Sequence, residues 1–140
     1  MHDTKELIIP AKLDALDQVL AFIDTELECH SCSMKAQMQI DIAVEEIYVN
    51  IAHYAYSPGQ EGDATIRCTV GGNPLQVTIQ FMDHGVPYNP LKKQDPDTTL
   101  SAEDRDIGGL GIFMVKKSMD NIEYEYKDGK NILTIGKQIA

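Results

Sequence analysis

Two separated parts of the chain decide its fold: Glu46-Ile47-Tyr48-Val49-Asn50 in the first half, then Asp83-His84-Gly85 and Gly108-Gly109-Leu110-Gly111 in the second. Glu46 and Asn50 are four positions apart, so on a helix they project from one face and can supply a base and a metal ligand. Glycines before a helix leave backbone amides free to face phosphates. In this order, the segments predict an ATP site that is built without a P-loop.

Length and composition indicate one globular domain over residues 1–140. The chain is 43% hydrophobic and 24% charged, and no apolar run approaches the roughly 20 residues that cross a bilayer. Its net charge of -10 argues against direct contact with nucleic acid, which needs clustered Lys and Arg. The first residues lack the basic and apolar segments of a signal peptide, so we expect a cytoplasmic protein with no membrane contact.

The three cysteines, Cys29, Cys32 and Cys68, are an odd number without a secretory context, which favours reduced thiols. Cys29-His30-Ser31-Cys32 has the form of half a metal or redox site. No second ligand pair follows at a useful spacing, and no strand leads into the segment. We therefore favour a segment with neither a metal nor a redox role.

Hydrophobic periodicity predicts the order of elements. In chain order the prediction is a strand at 5–9, helices at 13–27 and 35–56, strands at 63–70 and 75–82, a helix at 109–119, and strands at 122–126 and 131–139. Ser31 or Ser33 is the expected N-cap of the second helix. We expect two hairpins within a single mixed sheet that carries its helices on one face, which is a two-layer α/β sandwich.

The second predicted helix separates a buried stripe from a functional one. The buried stripe is expected to hold Ile40, Val44, Ile47, Ile51 and Tyr54 or Ala55. Glu46, Asn50 and His53 lie roughly 100° away around the helix, at the edge of the core, where a ligand can reach them. The neighbouring Glu45 does not align with Asn50, so a solvated face is the better interpretation for it.

A polar segment from Asn89 to Asp106 contains Pro90, Pro96 and few apolar residues. A loop of this length in a compact domain usually has a task, such as covering a ligand. We predict that residues 89–107 form the lid of the nucleotide site.

These residues carry a family resemblance over nearly the whole chain, from about residue 7 to residue 137. The chain resembles the ATPase superfamily of DNA gyrase, histidine kinases and mismatch-repair ATPases, and most of all the bacterial anti-sigma factor serine kinases of partner-switching systems. The specific segments are Glu46 to Asn50 with Ala55-Tyr56, Asp83-His84-Gly85-Val86-Pro87-Tyr88-Asn89-Pro90-Leu91, Arg105-Asp106-Ile107-Gly108-Gly109-Leu110-Gly111-Ile112-Phe113 and Gly129-Lys130-Asn131-Ile132-Leu133-Thr134. Pro87 stands where other superfamily members have a second glycine.

The resemblance implies a stand-alone Bergerat-type ATP-binding fold and a protein serine kinase that uses ATP and Mg²⁺. It also implies a homodimer that phosphorylates a small anti-anti-sigma protein and sequesters a sigma factor. A non-catalytic, ATP-dependent protein-binding module is the alternative. A lone ATPase fragment of a sensor histidine kinase is less favoured, because the chain has no room for a phospho-accepting helical domain.

Site residues follow from the resemblance together with their chemistry. Asn50 is the expected Mg²⁺ ligand and Glu46 the base that accepts the proton of the attacking hydroxyl. Asp83 is expected to accept a hydrogen bond from the adenine amino group, which selects adenine over guanine. Gly85 permits close backbone approach to the flat ligand, and Thr134 is expected to add a direct or water-mediated contact to the same base edge.

The phosphates account for a further group of expected site residues, and the roles of Arg105 and His53 stay open. The expected phosphate-binding residues are Gly108, Gly109, Leu110 and Gly111 at the start of a helix. Arg105 is expected to reach the γ-phosphate or a partner. His53 either contacts the nucleotide or packs at the edge of the pocket.

Overall fold

The structure is a computed structural model that describes residues 2–92 and 109–139. Its elements are β1 (His2–Pro10), α1 (Leu16–Cys29), α2 (Met34–Tyr54), β2 (Asp63–Gly71), β3 (Gln76–Asp83), α3 (Gly109–Ser118), β4 (Asn121–Lys127) and β5 (Lys130–Gln138). Single 3₁₀ turns occupy Leu13–Ala15 and Pro90–Lys92. Within these ranges, no helix is both long enough and apolar enough to cross a membrane.

The strands form one five-stranded sheet in the order β1-β2-β3-β5-β4. All the strand pairs that the described residues form are antiparallel, whereas a mixed sheet was the prediction. The connections give the reason. Two helices, α1 and α2, separate β1 from β2, so the chain reverses direction three times between these strands and they run antiparallel. The strand β4 follows α3 but pairs with its hairpin partner β5 rather than with β3. Both predicted hairpins are present.

One face of the sheet packs on the helices and forms the core. The inward residues alternate along the strands, as expected for a half-covered sheet; they include Ala64, Ile66, Cys68 and Val70 on β2, and Val77, Ile79 and Phe81 on β3. From the helices, the core takes Val19, Ile23 and Leu27 of α1 and Ile40, Val44 and Ile47 of α2. Each fully buried aliphatic side chain contributes about 1.5–3 kcal/mol. The predicted two-layer α/β sandwich is confirmed.

The start of α2 shows which serine caps the helix. Ser33 has extended backbone angles, and its side chain accepts a hydrogen bond from the amide of Ala36 at 3.2 Å. Ser31 has a φ of 56°, in the left-handed region, so it lacks the extended conformation of an N-cap residue. Of the two serines that the sequence offers, the cap is therefore Ser33.

Tyr48 extends the buried face of α2 beyond the predicted stripe. It is fully buried, and its hydroxyl lies 2.7 Å from the carbonyl oxygen of Lys12 and 3.2 Å from the Lys12 amide nitrogen. Tyr48 therefore anchors the connection between β1 and α1 to the middle of α2, just beside the predicted functional residues.

Candidate functional site

A cavity lies where the second half of α2 meets the end of β3 and the start of β5. Its walls are mostly apolar, with Asn50, Asp83 and Asn131 as the polar residues and Tyr54, Tyr88 and Tyr124 as the aromatic ones. The remaining lining residues are Ile47, Ile51, Ala55, Phe81, Val86, Pro90, Ile112 and Leu133. An apolar cavity with a few convergent polar groups is the usual form of a small-molecule site.

The cavity has a volume of about 40 Å³, which is room for a few water molecules. Tyr54, which is 45% exposed, and Tyr88 lie at its rim with ring centroids 6.0 Å apart.

Asp83 presents its carboxylate to this cavity from the last position of β3. It is only 5% exposed, and its Oδ1 accepts hydrogen bonds from the Gly85 amide at 2.9 Å and from Asn131 Nδ2 at 3.0 Å. Asn50 of α2 lines the same cavity. The structure therefore brings together two residues that the sequence places in separate motifs.

Glu46 lies one turn before Asn50 on α2 and is half-buried. Burial raises the pKa of its carboxyl, and the neighbouring charge of Glu45 raises that pKa further. A raised pKa brings the carboxyl closer to the range of an efficient general base near neutral pH. The oxygens of Glu46 and Asn50 are hard ligands of the kind that Mg²⁺ prefers, so this side of α2 fits a metal-nucleotide complex.

Gly111 in the first turn of α3 packs directly on Glu46. A Cβ atom added at Gly111 would lie 2.0 Å from the Cδ atom of Glu46, so a larger residue at this position would displace the Glu46 carboxylate. Gly109 and Leu110 belong to the same first turn, because α3 begins at Gly109. The glycine motif and the Glu46 motif therefore meet, and the amino end of α3 lies beside the candidate base.

Gly85 approaches the end of α2 closely. A Cβ atom at Gly85 would lie 2.0 Å from the carbonyl oxygen of Ala55, and the Val86 amide donates to that oxygen at 3.1 Å. This contact within the protein by itself requires glycine, and the approach of Gly85 to a nucleotide stays a prediction.

Two predicted residues lie away from the cavity. His53 is exposed and lines a separate surface recess together with Lys12 and Tyr56. Thr134 pairs with Gln80 and Glu123 across the strands, on the face of the sheet opposite to Asp83. The prediction that Thr134 contacts the base is therefore wrong in its geometry, because successive strand residues point to opposite faces.

Arg105, Gly108 and most of the predicted lid at 89–107 lie outside the described residues. The described part of that segment contains the turn Pro90–Lys92.

Asn131 is the site residue that sequence reasoning missed. It lies directly opposite Asp83 in the register of β3 and β5, and it is 7% exposed. A signal was present in the sequence, because Asn131, Leu133 and Ile135 alternate after the Asp128-Gly129 turn and so share the buried face. The tyrosines of the cavity had no comparable signal.

Known proteins are similar in sequence to this chain over most of its length. The serine/threonine-protein kinase BtrW of Bordetella bronchiseptica is 27% identical over 108 residues, covering 77% of this chain and 75% of that protein. The serine-protein kinase RsbW of Listeria monocytogenes is 26% identical over 137 residues, covering 95% and 86%. An anti-sigma F factor of Clostridium acetobutylicum is 27% identical over 99 residues, covering 71% and 67%.

A solved structure and a family model agree with these relatives. The crystal structure of the RsbU and RsbW domains of Rv1364c from Mycobacterium tuberculosis matches 98% of this chain with a TM-score of 0.67 at 14% identity, and the match spans 32% of that longer chain. This likeness shows the fold. The family model of the histidine kinase-like ATPase domain matches residues 9–137. The chain therefore belongs to the histidine kinase-like ATPase domain family.

Proposed function

We propose that this protein is an ATP- and Mg²⁺-dependent protein serine kinase that phosphorylates a small anti-anti-sigma protein and sequesters a sigma factor. The observation that carries the proposal is the contact of Gly111 with the Glu46 carboxylate, one helical turn from Asn50 at the Asp83 cavity. In this proposal, one site combines the general base Glu46, the metal ligand Asn50, the adenine-binding carboxylate of Asp83 and the amino end of α3.

Each residue has a separate task in this mechanism. Asp83 binds the adenine amino group in the apolar cavity, and Asn50 holds the metal, which neutralises phosphate charge when it is bound. The amides in the first turn of α3 face the phosphates. Glu46 accepts the proton of the substrate serine while the serine oxygen bonds to the γ-phosphorus and ADP leaves.

The names of the relatives support both parts of the proposal, the kinase activity and the sequestration of a sigma factor. BtrW and RsbW are named as kinases, and the clostridial relative is named as an anti-sigma factor. The rival is a module that binds ATP and a partner without phosphoryl transfer. The half-buried Glu46 beside Gly111 favours the kinase, because a binding module needs no base at that position.

The test is phosphoryl transfer from labelled ATP to the small anti-anti-sigma-like proteins encoded in the same genome. Glu46→Gln keeps the shape of the side chain but removes the base, so we expect transfer to fall by about 10² or more with little change in ATP affinity. Glu45→Gln, one position away and exposed, is the matched control and should retain transfer. Normal transfer by Glu46→Gln would remove Glu46 from the role of base, and binding without transfer by the wild type would favour the rival.

A further inference from the structure

We propose that Asn131 is a positioning residue that holds the Asp83 carboxylate as a hydrogen-bond acceptor and thereby sets the preference for adenine over guanine. The inference rests on the proposed function, since it concerns the nucleotide that the same cavity takes. It assigns a role to a residue of this chain for which neither the sequence motifs nor the relatives' names give one.

The side-chain amide of Asn131 has partners on both of its ends. Its Nδ2 donates to Asp83 Oδ1 at 3.0 Å and to the carbonyl oxygen of Val86 at 2.8 Å. Its Oδ1 accepts from the Tyr88 amide at 3.0 Å and from the Tyr124 hydroxyl. Asn131 therefore joins the end of β3 to the backbone that follows it.

These partners fix which end of the amide faces Asp83. The Tyr88 amide can only donate and the Val86 carbonyl can only accept, so a flipped Asn131 would lose both contacts. The N–H end of Asn131 must therefore point to Asp83.

The Asp83 carboxylate is constrained in turn. Its Oδ1 receives two N–H donors, from Asn131 at 3.0 Å and from Gly85 at 2.9 Å. A proton on Oδ1 would collide with those donors, so this oxygen stays an acceptor. Oδ2 is left to serve a ligand in the cavity that Asp83 lines.

An acceptor at this point distinguishes the two purines. The amino group of adenine donates to a carboxylate, whereas guanine places a carbonyl oxygen in the corresponding position and the two oxygens repel. Discrimination by Asp83 thus depends on how the carboxylate is held, because Asn131 and the Gly85 amide together fix Oδ1 and leave Oδ2 to the cavity.

Asn131→Asp should weaken this discrimination. Two carboxylates would then face each other across the β3–β5 pair, and they would share a proton because like charges at this distance do not both ionise. A protonated carboxyl can donate to the guanine carbonyl. We expect the ratio of the Mg-GTP to the Mg-ATP dissociation constant to fall about tenfold or more, with a larger fall at pH 6 than at pH 8.

Calorimetry with Mg-ATP and Mg-GTP on the full chain measures this ratio. Asn131→Ala removes the donors without adding a charge, so its ratio should fall without the pH dependence. Thr134→Val, on the same strand but the opposite face, is the control and should keep the wild-type ratio. Thermal melting of each variant identifies those that fold, and the Ala variant decides the question if the Asp variant does not fold.

The outcomes separate this inference from the proposed function. Wild-type protein that binds neither nucleotide would overturn the proposed function and the inference with it. Wild-type protein that prefers Mg-ATP, with a folded Asn131 variant of unchanged preference, would overturn the inference alone.

Discussion

Asn50 lines the candidate nucleotide cavity from α2, one helical turn after the candidate base Glu46. In a chain with a net charge of -10, bound phosphates need a cation, and the Asn50 side-chain oxygen is a suitable ligand for it. We expect Asn50→Ala to lose most of its affinity for ATP in the presence of Mg²⁺. Calorimetry with and without EDTA measures the effect, and Gln18→Ala on the exposed side of α1 is the control. Unchanged Mg-ATP binding by Asn50→Ala would show that another residue holds the metal.

Where α1 packs on α2, Asp41 interacts with Asp24, and Asp41 Oδ1 is buried without a hydrogen-bond partner among the described residues. Burial raises the pKa of Asp41 to about 7, and the hydrogen bond with Asp24 and the charges of Asp24 and Glu28 add to that effect. Gln37 donates to the other carboxyl, at 3.2 Å from Asp24 Oδ1. In the folded protein, the Asp24 and Asp41 carboxyls therefore keep one proton between them at pH values below about 7.

The raised pKa of Asp41 fixes the sign of a pH effect. The folded state holds a proton that the unfolded chain releases near the ordinary aspartate pKa of 3.8, so this stabilisation is complete below about pH 4 and is lost as the pH rises to about 7. Asp41→Asn should remove that loss and raise the free energy of unfolding at pH 8 by about 1 kcal/mol, a value reduced for solvent screening. Urea unfolding at pH 5 and pH 8 measures it, with exposed Asp14→Asn as the control. An equal change at both pH values would contradict the shared proton.

At the scale of the whole molecule, the helices cover one face of the sheet and no described helix covers the other. Ile8 on that face is 60% exposed, and its row continues through Thr65, Met82, Ile132 and Glu125, of which Met82 is already buried. A homodimer, which the family resemblance implies, would bury Ile8 if the sheets faced each other.

We therefore expect the protein to sediment as a dimer and Ile8→Glu to shift it toward monomer, because a charge in a buried apolar contact is costly. Met38 on α2 is also 60% exposed but lies on the helical layer, so Met38→Glu is the matched control. Sedimentation velocity over a concentration series distinguishes the two variants. A monomer released by Met38→Glu alone would place the contact on the helices instead.

Most elements could be predicted because their signals are local. A helix or a strand shows itself in the spacing of residues that are close in sequence, such as Ile40, Val44 and Ile47 on α2 or the alternation from Ala64 to Val70 on β2. The observed bounds of these two elements therefore differ little from the predicted ones. The prediction of a mixed sheet was wrong because local patterns do not show which strands become neighbours, and β5 rather than β4 pairs with β3. Thr134 was assigned to the site by motif position, although strand alternation places it on the other face.

The sequence by itself determined the elements, the family and the positions of Glu46, Asn50, Asp83 and the glycine motif. Only the tertiary structure decided which of these side chains meet. The register of β3 and β5 sets Asn131 opposite Asp83, and the packing of α3 on α2 sets Gly111 against Glu46. Local propensity is set by neighbours a few residues away. Contacts between distant segments depend instead on strand register and helix packing, and these are determined together by the packing of the whole core.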